Sequence, residues 1–266
     1  MRAVLAGLAV LAISTNAWSA DMLRGSAPAF VEARSYSWAG VYFGAQAGYG
    51  NADFGFSGAT RPMFENLLRA TILEREARVS QQAVLESRDA RGTAYGGFVG
   101  YNSQWGDIVL GAELNYNRTS ISASDDDVIS RIITLGSITN DYTLTSSVSA
   151  KLTDYGSLRF RAGYAYNWFM PYAMVGIAAG RADVTKTAMV ELNQIPQVGL
   201  PIFVQFDETT TKTGAISIGY MAGLGVDIGL MPGVFMRAEY EFVQLGGFED
   251  IPIRVSTGRL ALGVKF

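Results

Sequence analysis

Segments in which apolar and polar residues alternate recur along this chain. In the clearest of them every second residue is apolar: Leu260, Leu262, Val264 and Phe266. The positions between these four include the cations Arg259 and Lys265. Because successive side chains of a β-strand point to opposite faces, such a strand has one apolar and one polar face. This arrangement is typical of a transmembrane β-barrel, whose strands face lipid on one side and the lumen on the other.

Seven further segments repeat this design, so the pattern predicts eight strands. In the fourth, the apolar face carries Leu158 and Phe160, and the opposite face carries Arg159 and Arg161. The facing of the fifth segment stays open because both of its sides are apolar or small. The predicted strands cover residues 40–52, 92–103, 108–117, 145–166, 171–184, 213–229, 234–245 and 252–266.

The connections between these segments alternate in length. Those after strands two, four and six are tight turns, whereas the others are longer and cover residues 53–91, 119–144, 185–212 and 246–251. Outer-membrane barrels have short periplasmic turns and longer extracellular loops. We therefore predict an all-β fold, an eight-stranded antiparallel up-and-down transmembrane β-barrel with long extracellular loops. Both termini of the chain are predicted to lie in the periplasm, and the last strand is predicted to pair with the first.

The first residues of the chain have the features of an export signal. Arg2 is basic, residues 3–13 are apolar, and Ala17-Trp18-Ser19 forms an A-x-S cleavage site. Cleavage after Ala20 is the alternative, but it would place Trp18 where a small residue is preferred. The apolar run is too short to span a bilayer as a helix. The predicted parts are a signal peptide (1–19), a periplasmic N-terminal segment (20–37) and the barrel (38–266).

Composition supports the barrel and narrows the chemistry. Hydrophobic residues make up 49% of the chain and charged residues only 17%, and the 30 glycines and 13 tyrosines suit close strands and interfacial aromatic girdles. The chain has no cysteine, which excludes disulfides and thiolate–metal sites. It has no histidine either, which removes the commonest general base. A formal charge of −3 gives no indication of a nucleic-acid partner.

In the order of its segments, the chain resembles the outer-membrane beta-barrel domain proteins of alphaproteobacteria. These are porin-family, OmpA-like small eight-stranded surface barrels. The segments that carry the resemblance are 38–44 (WAGVYFG), 96–102 (GGFVGYN), 158–165 (LRFRAGYA), 169–172 (FMPY) and 263–266 (GVKF). The resemblance implies a location in the outer membrane and recognition of the last strand by the barrel-assembly machinery. It implies no particular chemical activity, because members of the family share none. The implied assembly signal is Leu260, Leu262, Val264 and Phe266, although Ala261 stands where such signals usually have glycine.

Charged residues fall on the predicted lumen faces of several strands. The lumen of an eight-stranded barrel is only wide enough for side chains, and unpaired buried charges are costly. We therefore predict a lumen ion-pair network, with a narrow ion path as the alternative. The network residues are Glu113, Arg159, Arg161, Asp227, Arg237, Glu239, Glu241, Arg259 and Lys265.

Catalytic and metal sites are weaker hypotheses. Barrel enzymes of this general kind resemble one another in using histidine with serine or aspartate, and histidine is absent here. Asp125-Asp126-Asp127 could contribute oxygen ligands to Ca²⁺, but it lacks the glycine and the distal glutamate of an EF-hand loop. A solvated loop is the favoured interpretation of this run. We predict no catalytic, cofactor-binding or metal-binding residue, and no cofactor.

The first long connection has an amphipathic helical pattern between residues 62 and 88. Pro62 suits a first helical turn, and Phe64, Leu67 and Leu68 fall at helical spacing. The pattern could indicate a partner-binding helix, but a short helix that folds back over the barrel mouth is favoured. The predicted function is a structural and surface-interaction role in the Gram-negative envelope, and a narrow porin-like channel is the alternative. The expected partners are outer-membrane lipid, lipopolysaccharide, the assembly machinery and a host or surface ligand at the loops.

Overall fold

A computed structural model describes residues 36–266, in which eight antiparallel strands close into a barrel. Each strand pairs with the next in the chain, and β8 pairs with β1, so the predicted fold is confirmed. The strands are β1 (Gly40–Phe54), β2 (Arg88–Trp105), β3 (Ile108–Leu135), β4 (Ile138–Tyr164), β5 (Phe169–Pro196), β6 (Ile202–Met231), β7 (Val234–Phe248) and β8 (Ile251–Lys265). The predicted signal peptide (1–19) and most of the segment 20–37 lie outside the described residues.

The outer face of the barrel is the apolar face of each strand. On β1, the exposed residues Val41, Phe43 and Tyr49 alternate with inward positions, as the sequence pattern predicts. On β5, where the sequence left the facing open, Val175 and Ile177 are exposed and the alternate residues are buried. This belt is the surface that meets lipid, because only closed barrels and helices satisfy their backbone groups within a bilayer. None of the helices in residues 36–266 is long and apolar enough to cross a membrane.

Strands β3 to β6 extend far beyond the rest of the barrel. The pairing of β2 with β3 ends at Ala94 and Thr119, and that of β6 with β7 ends at Gly219 and Leu245. Beyond this level the four central strands continue alone as a sheet of residues 120–135, 138–152, 184–196 and 202–212, here called the extracellular sheet. At about 3.3 Å per residue, its β3 portion is roughly 50 Å long.

The predicted long loops at 119–144 and 185–212 are therefore wrong. Only Gly136 and Ser137 connect β3 to β4, and residues 197–201 connect β5 to β6. Gly136 has a φ of +64°, a backbone conformation that glycine adopts without steric cost and that suits a two-residue hairpin. Both connections are the tips of long hairpins.

The first connection folds into short helices rather than the single amphipathic segment of the prediction. It contains α1 (Arg61–Leu68), α2 (Ile72–Ala77) and a 3₁₀ turn (Val79–Gln81). The break arises because the Thr71 hydroxyl accepts a hydrogen bond from the Glu74 backbone N–H and starts a new helix. Arg78 then ends α2 in a left-handed conformation, with a φ of +46°.

These helices cover the inner face of the extracellular sheet. Met63, Phe64, Leu68 and Leu73 form one buried cluster with apolar residues of β4 and β5: Tyr142, Leu144, Ala188, Val190 and Leu192. The segment thus folds back and packs on its neighbours, as the favoured interpretation expected. The apolar side of these helices therefore packs against the protein's own sheet and is not exposed to a partner.

Candidate functional site

The structure brings eight of the nine predicted lumen charges together in the barrel interior. Their side chains are at most 2% exposed. The group holds four arginines and four carboxylates, so its formal charge is zero. Its members are Glu113, Arg159, Arg161, Asp227, Arg237, Glu239, Glu241 and Arg259.

Strand register places three ion pairs directly across from one another. Glu113 of β3 lies opposite Arg159 of β4. On the other side of the barrel, Asp227 faces Arg237 and Glu239 faces Arg259. Directly opposed residues on one face are the closest side-chain neighbours in an antiparallel sheet. The pairs therefore follow from the register, which is set by the connecting turns together with a one-residue shift between each turn and its pair.

The arginines also connect opposite walls of the barrel. Arg237 Nη1 lies 2.7 Å from Glu113 Oε2, while its Nε lies 2.8 Å from Asp227 Oδ1. Arg159 binds Glu113 and also lies 3.1 Å from carboxylate oxygens of both Glu239 and Glu241. Each guanidinium offers five N–H donors, which allows these multiple contacts. The network thus crosses the lumen instead of lining it.

Aromatic residues surround the charges. The Tyr42 hydroxyl donates to Glu113 over 2.9 Å, and the Tyr172 hydroxyl donates to Glu239. The Arg161 guanidinium carbon lies 3.8 Å from the centre of the Tyr172 ring, and that of Arg237 lies 4.4 Å from the Phe98 ring. These contacts satisfy most of the charged groups away from water, and within the described residues Glu241 Oε1 and Arg259 Nε are the network atoms without a hydrogen-bond partner.

Apolar residues fill the interior on both sides of the network. Toward the periplasm, Trp38 is buried against Phe235 at a ring distance of 6.2 Å, and its indole N–H donates to the Asn167 carbonyl. Toward the extracellular end, residues such as Phe54 and Leu152 belong to the same buried cluster. The barrel interior is a packed core.

Lys265 corrects the prediction of nine network members. It lies near the periplasmic mouth, where its ammonium group donates to the Ala39 carbonyl over 3.0 Å. Among residues 36–266 no carboxylate oxygen lies within 4.0 Å of it. The alternation placed it on the inward face, but it is six residues beyond Arg259 on β8, below the level of the carboxylates.

Three inward amides belong to the interior hydrogen bonding, although the sequence prediction left them out of the network. Gln46 donates to Asn115 over 3.0 Å and to Asn117 over 2.6 Å. Asn115 in turn lies 3.4 Å from an Arg259 nitrogen, which joins the amides to the charges. The signal that could have identified them is strand alternation: Asn115 and Asn117 share the face of Glu113 on β3, and Gln46 shares the face of the buried Tyr42 on β1.

The prediction of a solvated loop at Asp125-Asp126-Asp127 is also wrong. The run lies within β3, and the carboxylate of Asp125 binds both Arg88 and the Glu86 backbone N–H, the latter over 2.7 Å. The Asp127 carboxylate accepts the Val84 backbone N–H. Two of the three carboxylates therefore fasten the first connection to the edge of the extracellular sheet. Within the described residues no group of acidic side chains has an arrangement that could hold a metal ion.

A second tie joins this sheet to the turn between β7 and β8. Lys212 of β6 lies 2.7 Å from a carboxylate oxygen of Glu249. The hydrogen bond from Lys212 lowers the pKa of the Glu249 carboxyl. Lys186 of β5 donates to the backbone carbonyl of the same residue. The tall sheet is thus fastened on both sides to the shorter half of the barrel.

The tip of the extracellular sheet is apolar and uncharged. Val198 is 92% exposed and Leu200 is 85% exposed, and Ile202 and Phe203 are exposed beside them. The neighbouring hairpin tip adds exposed Ile132 and Ile138. No charged residue occurs between 132 and 140 or between 192 and 206. Exposed apolar residues grouped in this way are typical of interaction sites.

The residues of the proposed assembly signal lie on the outer face of β8. Leu260, Leu262, Val264 and Phe266 are all exposed to the surroundings of the barrel. The Phe266 ring stacks on Phe43 at a centroid distance of 5.7 Å, beside the seam between β8 and β1. Their role in assembly stays a prediction.

The model of one protein family matches residues 5–266, which is nearly the whole chain. It describes the outer membrane protein beta-barrel domain. This chain belongs to that family. Two curated relatives are the 25 kDa outer-membrane immunogenic protein of Brucella ovis and the 22 kDa outer membrane protein of Rhizobium leguminosarum bv. viciae. The first is 28% identical over 99% of this chain and 96% of its own length. The second is 26% identical over 86% of this chain and 79% of its own.

Among solved structures, Ail, the attachment invasion locus protein of Yersinia pestis, aligns with 14% identity. The alignment covers 85% of this chain and 99% of that one, with a TM-score of 0.31. Family membership, the names of the relatives and the closed barrel agree. The protein is an integral outer-membrane β-barrel.

Proposed function

We propose that this barrel is a non-enzymatic membrane anchor that holds the extracellular sheet above the cell surface for contact with an apolar partner surface. The observation that carries the proposal is the uncharged apolar tip at the end of the sheet farthest from the bilayer. Apolar surface facing water gains free energy when a partner covers it. The position of the tip makes it the first part of the protein that an approaching surface meets.

The packed interior supports an anchoring role over transport. A pore needs a continuous polar opening, whereas the network and the clusters above and below it occupy the lumen with side chains. The inward carboxylates bind arginines and tyrosines, so none of the eight network charges is left free for acid–base chemistry. An enzymatic role is the less favoured hypothesis for this reason.

The first connection supports the sheet in this proposal. Its helices bury their apolar side against the inner face of the sheet, so the helical surface left for a partner is polar. We infer that deletion of residues 61–86 would weaken surface binding indirectly, through loss of the sheet's rigidity.

A conductance measurement tests the closed anchor. Protein refolded from denaturant and inserted into planar lipid bilayers should give no reproducible conductance steps at ±100 mV, a voltage whose energy is about 2.3 kcal/mol per elementary charge. Heat-modifiable gel mobility would show that the inserted protein is folded. Uniform, reproducible steps would support the porin-like channel instead.

An adhesion measurement tests the tip. Cells that display Val198→Asp/Leu200→Asp should adhere less to a hexadecane layer than cells with the native protein, because each aspartate places a charge where hydrocarbon must contact the protein. The matched control is Thr143→Asp/Thr145→Asp on the outer face of the same sheet, which adds the same charge at the same two-residue spacing away from the tip. Equal adhesion of native and tip-variant cells would contradict the proposal.

A further inference from the structure

Two shallow grooves lie one above the other on the lipid-facing side of β3, β4 and β5. The lower has a volume of about 340 Å³, and its lining includes Leu110, Phe160, Ala162, Ala173 and Val175. The upper has a volume of about 420 Å³, and its lining includes Tyr116, Gly156, Leu158, Ile177 and Ala179. Alanine and glycine form the floors and larger apolar side chains form the walls. The grooves lie in line along the strands, which suits a hydrocarbon chain.

Three cations stand directly above the upper groove. Arg118 follows Tyr116 by two residues on β3, and Arg181 follows Ala179 by two residues on β5, so each shares the face of its groove residue. Asp154 of β4 lies between the two arginines, and Lys151 lies in the next row outward on the same face, opposite Ser122 and Asp183. The three side chains are exposed. This level is the upper limit of the apolar belt, where lipid head groups begin.

Two of these cations have no acidic partner. Of the neighbouring acids, Asp183 accepts the Gly214 backbone N–H over 2.8 Å, and Asp154 lies 4.0 Å from Arg181. Within residues 36–266, no carboxylate oxygen lies within 4.0 Å of Arg118 or Lys151. Arginine binds phosphate oxygens through paired N–H donors, and lysine binds them as a point charge. The cluster therefore has the chemistry of a phosphate site.

Hydroxyl side chains cover the outer face above the cations. The sheet register aligns one row of them across β3 to β6 and a second across β4 to β6, where Asp126 takes the β3 position, and the side chains of both rows face outward. In the second row, the hydroxyls of Thr187 and Thr209 lie 3.2 Å apart. Hydroxyls both donate and accept hydrogen bonds, which suits the hydroxyls of a sugar. The rows are Ser124, Ser149, Thr185 and Thr211, followed by Ser147, Thr187 and Thr209.

We propose that the outer face of β3 to β6 binds a phosphorylated glycolipid of the outer leaflet, a lipid with the chemistry of lipopolysaccharide. Going outward from the membrane, the face presents apolar grooves, then cations, then hydroxyls. A phosphorylated glycolipid standing in the leaflet presents acyl chains, phosphates and sugars in the same order. A plain phospholipid has no sugar to match the hydroxyl rows. This site is separate from the apolar tip and holds the barrel in its own membrane.

Native mass spectrometry of the refolded full-length protein in detergent micelles tests this site with purified lipid A as the probe. The variant Arg118→Ser/Lys151→Ser/Arg181→Ser should weaken the binding of bisphosphorylated lipid A about tenfold for each lost contact to a charged group. Lipid A from which the phosphates have been removed should bind the native protein and the variant equally. The matched control is Arg69→Ser, which removes an exposed arginine from the first connection and should bind lipid A like the native protein.

A second variant tests the grooves. Ala173→Phe fills the lower groove from the lipid side and should weaken lipid A binding several-fold while the cations remain. All of these positions are on the outer face, so each variant should keep its heat-modifiable mobility. Lipid A affinity that is unchanged in the triple variant would overturn the proposal. So would displacement of lipid A by an equal concentration of inorganic phosphate, because the site would then bind a free anion.

Discussion

At the scale of single residues, the interior depends on complete pairing. Four arginines and four carboxylates are buried together, and each one has at least one partner of opposite charge. A buried charge that loses its partner retains its desolvation cost without compensation. Individual network residues therefore matter more for stability than exposed ion pairs such as Lys212 with Glu249.

Replacement of Arg237 tests this dependence. Arg237→Met keeps much of the side-chain volume but leaves Asp227 and Glu113 short of a cation. The free energy of unfolding should fall by about 3–5 kcal/mol, as found for broken buried ion pairs. Urea unfolding of the protein in detergent micelles measures it. The control Arg69→Met removes an exposed arginine and should stay within about 0.5 kcal/mol of the native protein. A native midpoint for Arg237→Met would contradict the ion-pair core.

The sequence could predict part of this network but not all of it. Inward positions follow from alternation because the lipid face must be apolar. Counting back from the tight turn at residues 232–233 would place Asp227 opposite Ala238, and a register shift next to Gly229 moves its partner to Arg237. The sequence could not predict the contact of Arg161 with Asp227 either, because it crosses the lumen and depends on how all the strands close. Lys265 was misplaced because alternation gives the face of a residue but not its height.

At the scale of elements, the extracellular sheet is where prediction from the pattern failed. Below its bulge at Thr153, β4 has even-numbered residues outward, such as Leu158, and above it they point inward, such as Val148. One extra residue reverses the facing of every following side chain. Outside the membrane the outer face of the sheet is also polar. The outward apolar residues that identify a membrane strand therefore stop at the belt, and the strand segments beyond it were missed. The threonines of these segments, with their high β-propensity, were the available signal.

The covering helices provide a prediction at this scale. Phe64 is fully buried between α1 and the sheet, and Phe64→Ala would remove most of that contact. Burial of this size is worth about 3–5 kcal/mol, so the first connection should detach while the barrel stays folded. Limited trypsin digestion should then cut at Arg69 or Arg75 much faster than in the native protein. Phe203→Ala, which removes an exposed phenylalanine from the tip, is the control. Equal cleavage rates would contradict the packed arrangement.

At the scale of the whole molecule, one barrel joins a lipid-facing belt, a neutral interior and a tall sheet outside the membrane. Among the connections that the pattern predicted to be long, only the first is long, but closure could be predicted because it follows from counting strands. The height of the sheet could not, since it depends on pairing between segments that looked like loops. The same height places the tip roughly 50 Å of strand length above the belt.

Cysteine labelling on intact cells tests this arrangement most directly, because the native chain contains no cysteine. Single variants would be treated with a membrane-impermeant maleimide. Val198→Cys at the tip and Thr134→Cys on the outer face of the sheet, beyond the hydroxyl rows, should be labelled on intact cells. Val190→Cys, which the helices cover, should stay unlabelled, and Gly233→Cys in a periplasmic turn should be labelled only after the outer membrane is permeabilised. Labelling of Gly233→Cys on intact cells, or protection of Val198→Cys and Thr134→Cys, would contradict the account.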